Sequence, residues 1–289
     1  MRPGYILSLV VILLLISLFG SCVADQQNAE LPAYITVHGV SFLTEPDQGT
    51  ERQLISEIWI YADSQFIGTY PSISEFPILA DGPLTLDIFP GIRENGQALA
   101  PVIYPMMSPF QVTVAAQPGT TTMINPAFRY AENIVIAINE NFETTNIFTL
   151  DLDGDTLTNF RRSTEQAIDG SSATATLTEA HSLLEVASKF GFGNIADRSL
   201  PTFLEMEYSS ETPLAVGIRM AGSTNVVYKL ILFANPSGSQ KIYVNFTDEI
   251  QSLGPGTYEI LFRSNFNPDL PKPMQVVTID NIKLLHFRP

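Results

Sequence analysis

Apolar and polar residues alternate with a period of two along most of the chain after residue 32. Tyr258, Ile260 and Phe262 share one apolar side of their segment, while Glu259 and Arg263 lie on the other side. This alternation is typical of a half-buried antiparallel strand. Only residues 248–253 are expected to form a helical turn. The pattern therefore predicts an all-β chain.

The predicted strands fall into two runs separated by residues 126–141, of which 134–138 are themselves strand-like. We expect an N-terminal β-sandwich over residues 32–130 and a C-terminal β-sandwich over residues 139–289. Nine strands bounded by turn residues predict a two-sheet jelly roll for the second run. The predicted strands are 34–42, 57–61, 76–79, 84–90, 110–115 and 121–125 in the first run, and 147–151, 173–177, 183–187, 202–208, 214–220, 226–233, 242–246, 258–262 and 276–287 in the second.

The N-terminus predicts export. Residues 5–18 form an apolar run shorter than the roughly 20 residues of a spanning helix, so residues 1–21 are interpreted as a cleaved signal peptide. The run Phe-Gly-Ser-Cys at 19–22 resembles the lipobox of bacterial lipoproteins. That resemblance implies acylation of Cys22, palmitate included, and a tether over residues 22–31. Val23 after the cysteine favours the outer membrane. A secreted protein or an uncleaved anchor is the alternative.

The cysteine content and the net charge limit the kinds of partner that the chain is expected to bind. Cys22 is the only cysteine, so no disulfide is expected. The formal net charge is −15, which excludes nucleic acid or an anionic membrane surface as a partner bound through bulk charge. Neutral molecules, cationic molecules and divalent metal ions are favoured instead.

The C-terminal half resembles carbohydrate-binding modules and galactose-binding-like domains. The resemblance rests on Asn-Phe-Glu at 141–143 and Ile-Asp-Asn-Ile at 279–282. It implies a jelly roll that binds glycan, with a structural calcium ion between Glu143 and Asp280. In simple alternation Asp280 shares a side with Ile282 and Leu284, so its carboxylate turns toward the core unless a bulge re-aims it, and it then needs a partner. A hydrogen-bonded Asp at a strand end is the alternative.

Asp151, Asp153 and Asp155 form a second candidate metal site that resembles the Asp-rich loops of thrombospondin type 3 repeats. An EF-hand is excluded, because Thr156 stands where glycine is required and Arg162 stands where a bidentate Glu is required. The alternative is a polar hairpin turn.

No catalytic constellation is recognised, so we expect the protein not to be an enzyme. The dinucleotide fingerprint at 191–196 is rejected because no helix can follow it. Glu205 and Glu207 lie on one side of a strand and resemble paired glycosidase carboxylates, but in a chain with 30 acidic residues a solvated strand face is the favoured interpretation. The histidines, at positions 38, 181 and 286, are scattered, with no nucleophile motif around them.

Residues 58–63 and 66–71 resemble the hairpins of PEGA-type and carboxypeptidase-regulatory-like sandwiches. The whole chain resembles uncharacterised lipoproteins of Bacteroidota, notably at 89–96 and 103–105. We therefore expect a non-catalytic lipid-anchored envelope protein that binds glycan, with Tyr208, Tyr228 and Tyr243 as candidate ligand residues. The alternatives are a scaffold subunit of an envelope assembly, and a glycoside hydrolase or an accessory protein to one.

Overall fold

The structure, a computed structural model, describes residues 31–99, 101–193, 195 and 199–288. The predicted signal peptide and Cys22 lie outside these residues. Strands dominate the described part of the chain, as the period-two pattern predicts, and its one helix has seven residues. In the described ranges no helix has the length and apolarity needed to span a membrane.

The first half of the chain is a β-sandwich. A five-stranded sheet has the order β4-β3-β6-β7, with β8 also paired to β6, and it faces a three-stranded sheet of order β5-β1-β9. A short pair, β10 with β2, completes this half. The strands are β1 (Ala33–Val37), β2 (Ser41–Phe42), β3 (Glu57–Ala62), β4 (Gln65–Pro71), β5 (Ser74–Ile78), β6 (Gly82–Arg93), β7 (Pro101–Ile103), β8 (Phe110–Ala116), β9 (Thr121–Ile124) and β10 (Ala127–Phe128).

The second half is the predicted jelly roll. One sheet has the order β13-β14-β21-β16-β19 with β11 beside β21, and the other has the order β12-β15-β20-β17-β18. All pairings in both sheets are antiparallel. The elements are β11 (Ile134–Glu140), β12 (Leu150–Asp151), β13 (Arg161–Ser163), β14 (Ser172–Thr178), β15 (Leu183–Ala187), β16 (Thr202–Ser210), β17 (Leu214–Met220), β18 (Val226–Leu232), β19 (Asn235–Asn245), helix α1 (Thr247–Leu253), β20 (Tyr258–Asn265) and β21 (Met274–Phe287).

Some strands lie outside the predicted ranges. The turn between β3 and β4 is Asp63–Ser64, two residues with positive φ that suit a tight hairpin. Residues 91–109, which none of the predicted strands covers, contain the end of β6 and all of β7. The polar strand β13 was not predicted, because Arg161–Ser163 has no apolar side from which alternation could be recognised.

Two clusters of buried side chains form the cores. One cluster, called the second core, lies between the two sheets of the jelly roll. The other, called the first core, fills the N-terminal sandwich, but it also contains Phe203, Tyr243 and Leu285 from the jelly roll. These three residues alternate with inward-pointing neighbours on β16, β19 and β21, so they project from the opposite side of that sheet. We call this the interface sheet, because its outer side is covered by the N-terminal half.

Candidate functional site

The three candidate tyrosines lie in different environments. Tyr208 is 3% exposed and packs in the jelly-roll core, although it also lines a cleft of about 230 Å³ beside Phe233. Tyr243 is 1% exposed and lies under the N-terminal half, where its hydroxyl accepts from the Leu54 backbone N–H at 2.9 Å. Burial of both rings disfavours them as open stacking surfaces for a ligand. Tyr228 is half-buried on the outer side of the other sheet.

Tyr228 lies on the outer side of the jelly-roll sheet β12-β15-β20-β17-β18, opposite the sheet that the N-terminal half covers. It pairs with Gly217 on the neighbouring strand, where an added Cβ would stand 2.9 Å from the Tyr228 ring atom Cδ1. The glycine therefore allows the ring to lie down on the sheet. Leu261 and Ala187 are fully buried although they belong to neither core cluster. Side chains on the Tyr228 side of the sheet therefore cover them.

Polar side chains surround the ring. The Tyr228 hydroxyl donates to Glu185 Oε1, and the Arg263 guanidinium lies close enough to act on the pKa of this hydroxyl. Burial, followed by the nearby Glu185 carboxylate, raises the pKa of Tyr228 to about 12, so the phenol remains a donor at neutral pH. Farther along the same side, Arg219 Nε donates to Glu259 Oε2 at 2.7 Å. We call the surface formed by Tyr228, Glu185 and Arg263 the Tyr228 face.

Sequence reasoning identified the ring of this face but missed its polar groups. Glu185 and Arg263 pair directly across β15 and β20, which places them on one side of the sheet. Alternation alone marks Arg263 as outward. What it could not show is that β15, β20, β17 and β18 are neighbours in this order, because that order follows from the crossovers of the whole jelly roll.

Asp280 lies away from the core, contrary to simple alternation. Asn281 has a φ of 49° and the pairing register of β16 with β21 shifts at this point, so a bulge re-aims the carboxylate toward the interface. Three donors bind it: the Ser172 hydroxyl at 2.7 Å and the backbone N–H groups of Asp169 and Asn281. Burial raises the pKa of Asp280 to about 6.

Glu143 binds the same segment, residues 169–172, that holds Asp280. Its Oε1 accepts from the Ser171 backbone N–H at 2.8 Å, one residue from the Ser172 hydroxyl that binds Asp280. Among the residues that the structure describes, no three His, Cys, Asp or Glu side chains are grouped to hold a metal ion. The donors around Asp280 supply the partners that a buried carboxylate needs. The calcium ion between Glu143 and Asp280 stays a prediction.

Asp151, Asp153 and Asp155 build a turn. Each carboxylate accepts from a backbone N–H two or three residues ahead, at 2.7 to 3.1 Å. Asp155 also contacts His181 Nδ1 at 2.7 Å, and this contact lowers the pKa of Asp155. These hydrogen bonds are those expected of the polar-turn alternative, and a metal at this loop also stays a prediction.

Glu205 and Glu207 are buried at the interface between the two halves. Tyr104 donates to Glu205 Oε1 at 2.6 Å, and Lys241 Nζ lies 3.2 Å from Glu205 Oε2. Arg52 binds Glu207 through two nitrogens, at 2.6 and 2.9 Å. Both residues are under 5% exposed, so the interpretation that they lie on a solvated strand face is wrong. Because the N-terminal half covers them, they do not line a cleft open to substrate.

The loop between β2 and β3 fastens the two halves together. Arg52 comes from this loop, and the Thr50 carbonyl accepts from Lys283 Nζ at 2.8 Å. Asn139 Nδ2 donates to the Asp47 carbonyl at 2.9 Å. The loop between β2 and β3 therefore holds the N-terminal sandwich on the interface sheet.

The comparisons with known proteins identify structural neighbours only. No protein-family model matches the chain, and no curated protein matches it. Solved structures with a similar fold include the C-terminal family 22 carbohydrate-binding module of Clostridium thermocellum Xyn10B, at 10% identity and a TM-score of 0.39, covering 54% of this chain and 96% of that one. A family 30 carbohydrate-binding module matches at 11% identity and a TM-score of 0.37, covering 53% and 89%. A structure described under carbohydrate-binding modules of the beta-sandwich superfamily matches at 10% identity and a TM-score of 0.32, covering 79% and 84%.

Proposed function

We propose that the protein is a non-catalytic binding protein whose jelly roll binds glycan at the Tyr228 face. The observation that carries the proposal is the half-buried Tyr228 ring lying over Gly217 with Glu185 and Arg263 beside it. An aromatic ring offers a flat apolar surface with a negative π-face, to which the C–H groups of a sugar ring are attracted. The carboxylate and guanidinium groups can hydrogen-bond the sugar hydroxyls.

The proposal is tested by replacing the ring. Full-length protein in detergent is screened on a glycan array, and affinity for the best ligand is measured by calorimetry. Tyr228→Ala is expected to lower affinity at least tenfold, because the stacking surface is lost. Tyr228→Phe keeps that surface and is expected to lower affinity less. Tyr34→Ala removes a half-buried tyrosine in the other half and is the matched control.

Two results would count against this site. Unchanged affinity of Tyr228→Ala, with the variant folded by circular dichroism, would remove Tyr228 from the binding site. No binding to any arrayed glycan, with or without calcium, would contradict glycan as the ligand class.

We further propose that Cys22 carries the lipid that holds the protein in the outer membrane. Cys22→Ser is expected to lose incorporation of labelled palmitate and to leave the membrane fraction, because the acyl chains are its anchor. Ser21→Ala is the neighbouring control and is expected to remain acylated. Mass spectrometry showing an unmodified Cys22 in membrane-bound protein would contradict the proposal.

The scaffold role is the second candidate function. Strand β18 is the edge of its sheet, and the adjoining Ile231 and Phe233 are 66% and 86% exposed. An edge strand offers unpaired backbone groups to another protein. A stoichiometric protein partner that co-purifies in mild detergent, together with an absence of glycan binding, would favour this role.

A further inference from the structure

The N-terminal sandwich carries four aromatic side chains on the outer side of its five-stranded sheet. In β3, Ile58 and Ile60 enter the first core, whereas Trp59 and Tyr61 alternate with them and point away from it. Phe66 pairs with Tyr61 from β4, and Phe89 pairs with Trp59 from β6. We call these four side chains, Trp59, Tyr61, Phe66 and Phe89, the aromatic face.

The rings form one continuous patch. Phe66 lies between Trp59 and Tyr61, with ring centroids 5.6 and 5.3 Å away, and Tyr61 lies 5.4 Å from Phe89. Phe66 is 52% exposed and the other three are partly exposed. Adjacent rings at the solvent side of a sheet gain nothing from core burial, and such a contiguous apolar patch marks a binding surface.

The surroundings of the rings identify the kind of ligand. Asp87 pairs with Tyr61 in the register and accepts from Gln111 Nε2 at 2.7 Å, while Thr85 and Thr113 hydrogen-bond each other at 3.3 Å. A carboxylate, an amide and hydroxyls therefore adjoin the rings. The buried indole N–H of Trp59 has no hydrogen-bond acceptor among the described residues. Apolar ring faces beside fixed polar groups match a sugar, which has C–H faces and hydroxyl edges.

The charges around the aromatic face favour a neutral polysaccharide over an acidic one. Arg93, at the end of the same sheet, is already paired with Glu57, so it is not free for an anionic ligand. Asp87 adds a negative charge beside the rings, and the whole chain carries −15. An acidic polysaccharide or an anionic membrane would be repelled. A neutral glycan meets no such penalty.

We propose that the aromatic face is a second glycan-binding surface, specific for neutral polysaccharide chains. It shares no residue with the Tyr228 face and lies in the other half of the molecule, so either site can exist without the other. Two sites on one chain would raise the apparent affinity for a polymer above that of each site alone.

The chain offers a direct reporter of this surface, because Trp59 is its only tryptophan. Full-length protein in detergent is titrated with laminarin, xylan, galactomannan and polygalacturonate, with tryptophan fluorescence as the readout. A neutral polysaccharide is expected to shift or quench the emission, whereas polygalacturonate is expected to leave it unchanged. The change is expected to persist in Tyr228→Ala, which separates this proposal from the jelly-roll site.

Phe66→Ala tests the surface itself. Removal of this exposed ring is expected to weaken the affinity in the fluorescence titration about tenfold. Leu79→Ala, which truncates a still more exposed apolar residue of the same half, is expected to leave it unchanged. The proposal is overturned if no neutral polysaccharide alters the emission, if Phe66→Ala binds as well as the unsubstituted protein, or if the emission change follows protein concentration alone, which indicates self-association. Retained calorimetric binding with silent fluorescence would leave the Tyr228 face standing and reject the aromatic face.

Discussion

Glu205→Ala is expected to lower the free energy of unfolding by about 3 to 5 kcal/mol, the cost of removing one partner from a buried ion pair. Glu205 is 1% exposed and forms an ion pair with Lys241, whose side chain is 4% exposed. The substitution also leaves the Tyr104 hydroxyl without its acceptor. Urea denaturation followed by circular dichroism measures the change.

The double variant Glu205→Leu with Lys241→Met provides the sharper test. Replacing both charges by apolar groups of similar volume is often neutral, so this protein is expected to be more stable than Glu205→Ala. Glu179→Ala changes an exposed glutamate and is expected to alter stability by less than about 0.5 kcal/mol. Equal stabilities for Glu205→Ala and Glu179→Ala would show that the interface does not depend on the buried pair.

Glu205 also affects a second lysine. Burial lowers the pKa of Lys283 to about 8, with Lys241 acting in the same direction and Glu205 opposing it. Lys283 is held by the Thr50 carbonyl and stands over the ring of Tyr130 at 5.2 Å from its centroid. Loss of the carboxylate therefore leaves two neighbouring ammonium groups with no anion between them, which adds to the expected destabilisation.

Period-two alternation predicted the strands well because it records which side of a strand is apolar. Strands β15 and β17 match their predicted bounds, and Tyr208 shares its side with Leu204 and Met206 in the core. The same rule could therefore have excluded Tyr208 as a surface residue. Tyr243 differs, since it alternates with the inward-pointing Ile242 and Val244 and yet is buried.

What covers the second side of a sheet cannot be read from alternation. Glu205, Glu207 and Tyr243 all point away from the jelly-roll core, as exposed residues do, and the N-terminal half then buries them. Arg52, which binds Glu207, comes from a loop 155 residues earlier in the chain, and Tyr104, which binds Glu205, lies 101 residues earlier. Local pattern carries no information about such a contact, so the interface emerges only from the folded structure.

Bulges are the other feature that alternation misses. Asp280 was expected to turn toward the core, and one extra residue at Asn281 reverses its direction. A register shift at Gly217 likewise sets the pairing of Tyr228. In both places a candidate site residue stands next to an irregularity of the sheet, as is common where a strand re-aims a side chain.

Arg52→Met is expected to lower the free energy of unfolding by about 2 to 3 kcal/mol at pH 8. Arg52 binds Glu207, which is 4% exposed and also accepts from Asn281 Nδ2 at 2.7 Å. The hydrogen bond with Glu207 raises the pKa of Arg52, and Asp280 adds to this shift. Burial raises the pKa of Asp280, and Glu207 adds to that shift, so the three charges interact. The expected loss is smaller than the roughly 3 to 5 kcal/mol of a fully buried pair, because the Arg52 side chain is 41% exposed.

The loss of stability caused by Arg52→Met is expected to be smaller at pH 5 than at pH 8. The direction of this change follows from the pKa of Asp280. Its pKa in the folded state is about 6 against a reference value of 3.8, so the folded state binds more protons than the unfolded state between these values. Stability therefore falls as pH rises from about 4 to about 6 and is level above. Without Arg52 the ionised Asp280 and Glu207 repel each other unopposed, which steepens this fall. Urea denaturation at pH 5 and pH 8 measures the difference, with Arg129→Met, which breaks the exposed pair with Glu45, as the control. A loss of stability that is the same at both pH values would show that Asp280 is not coupled to the Arg52 pair.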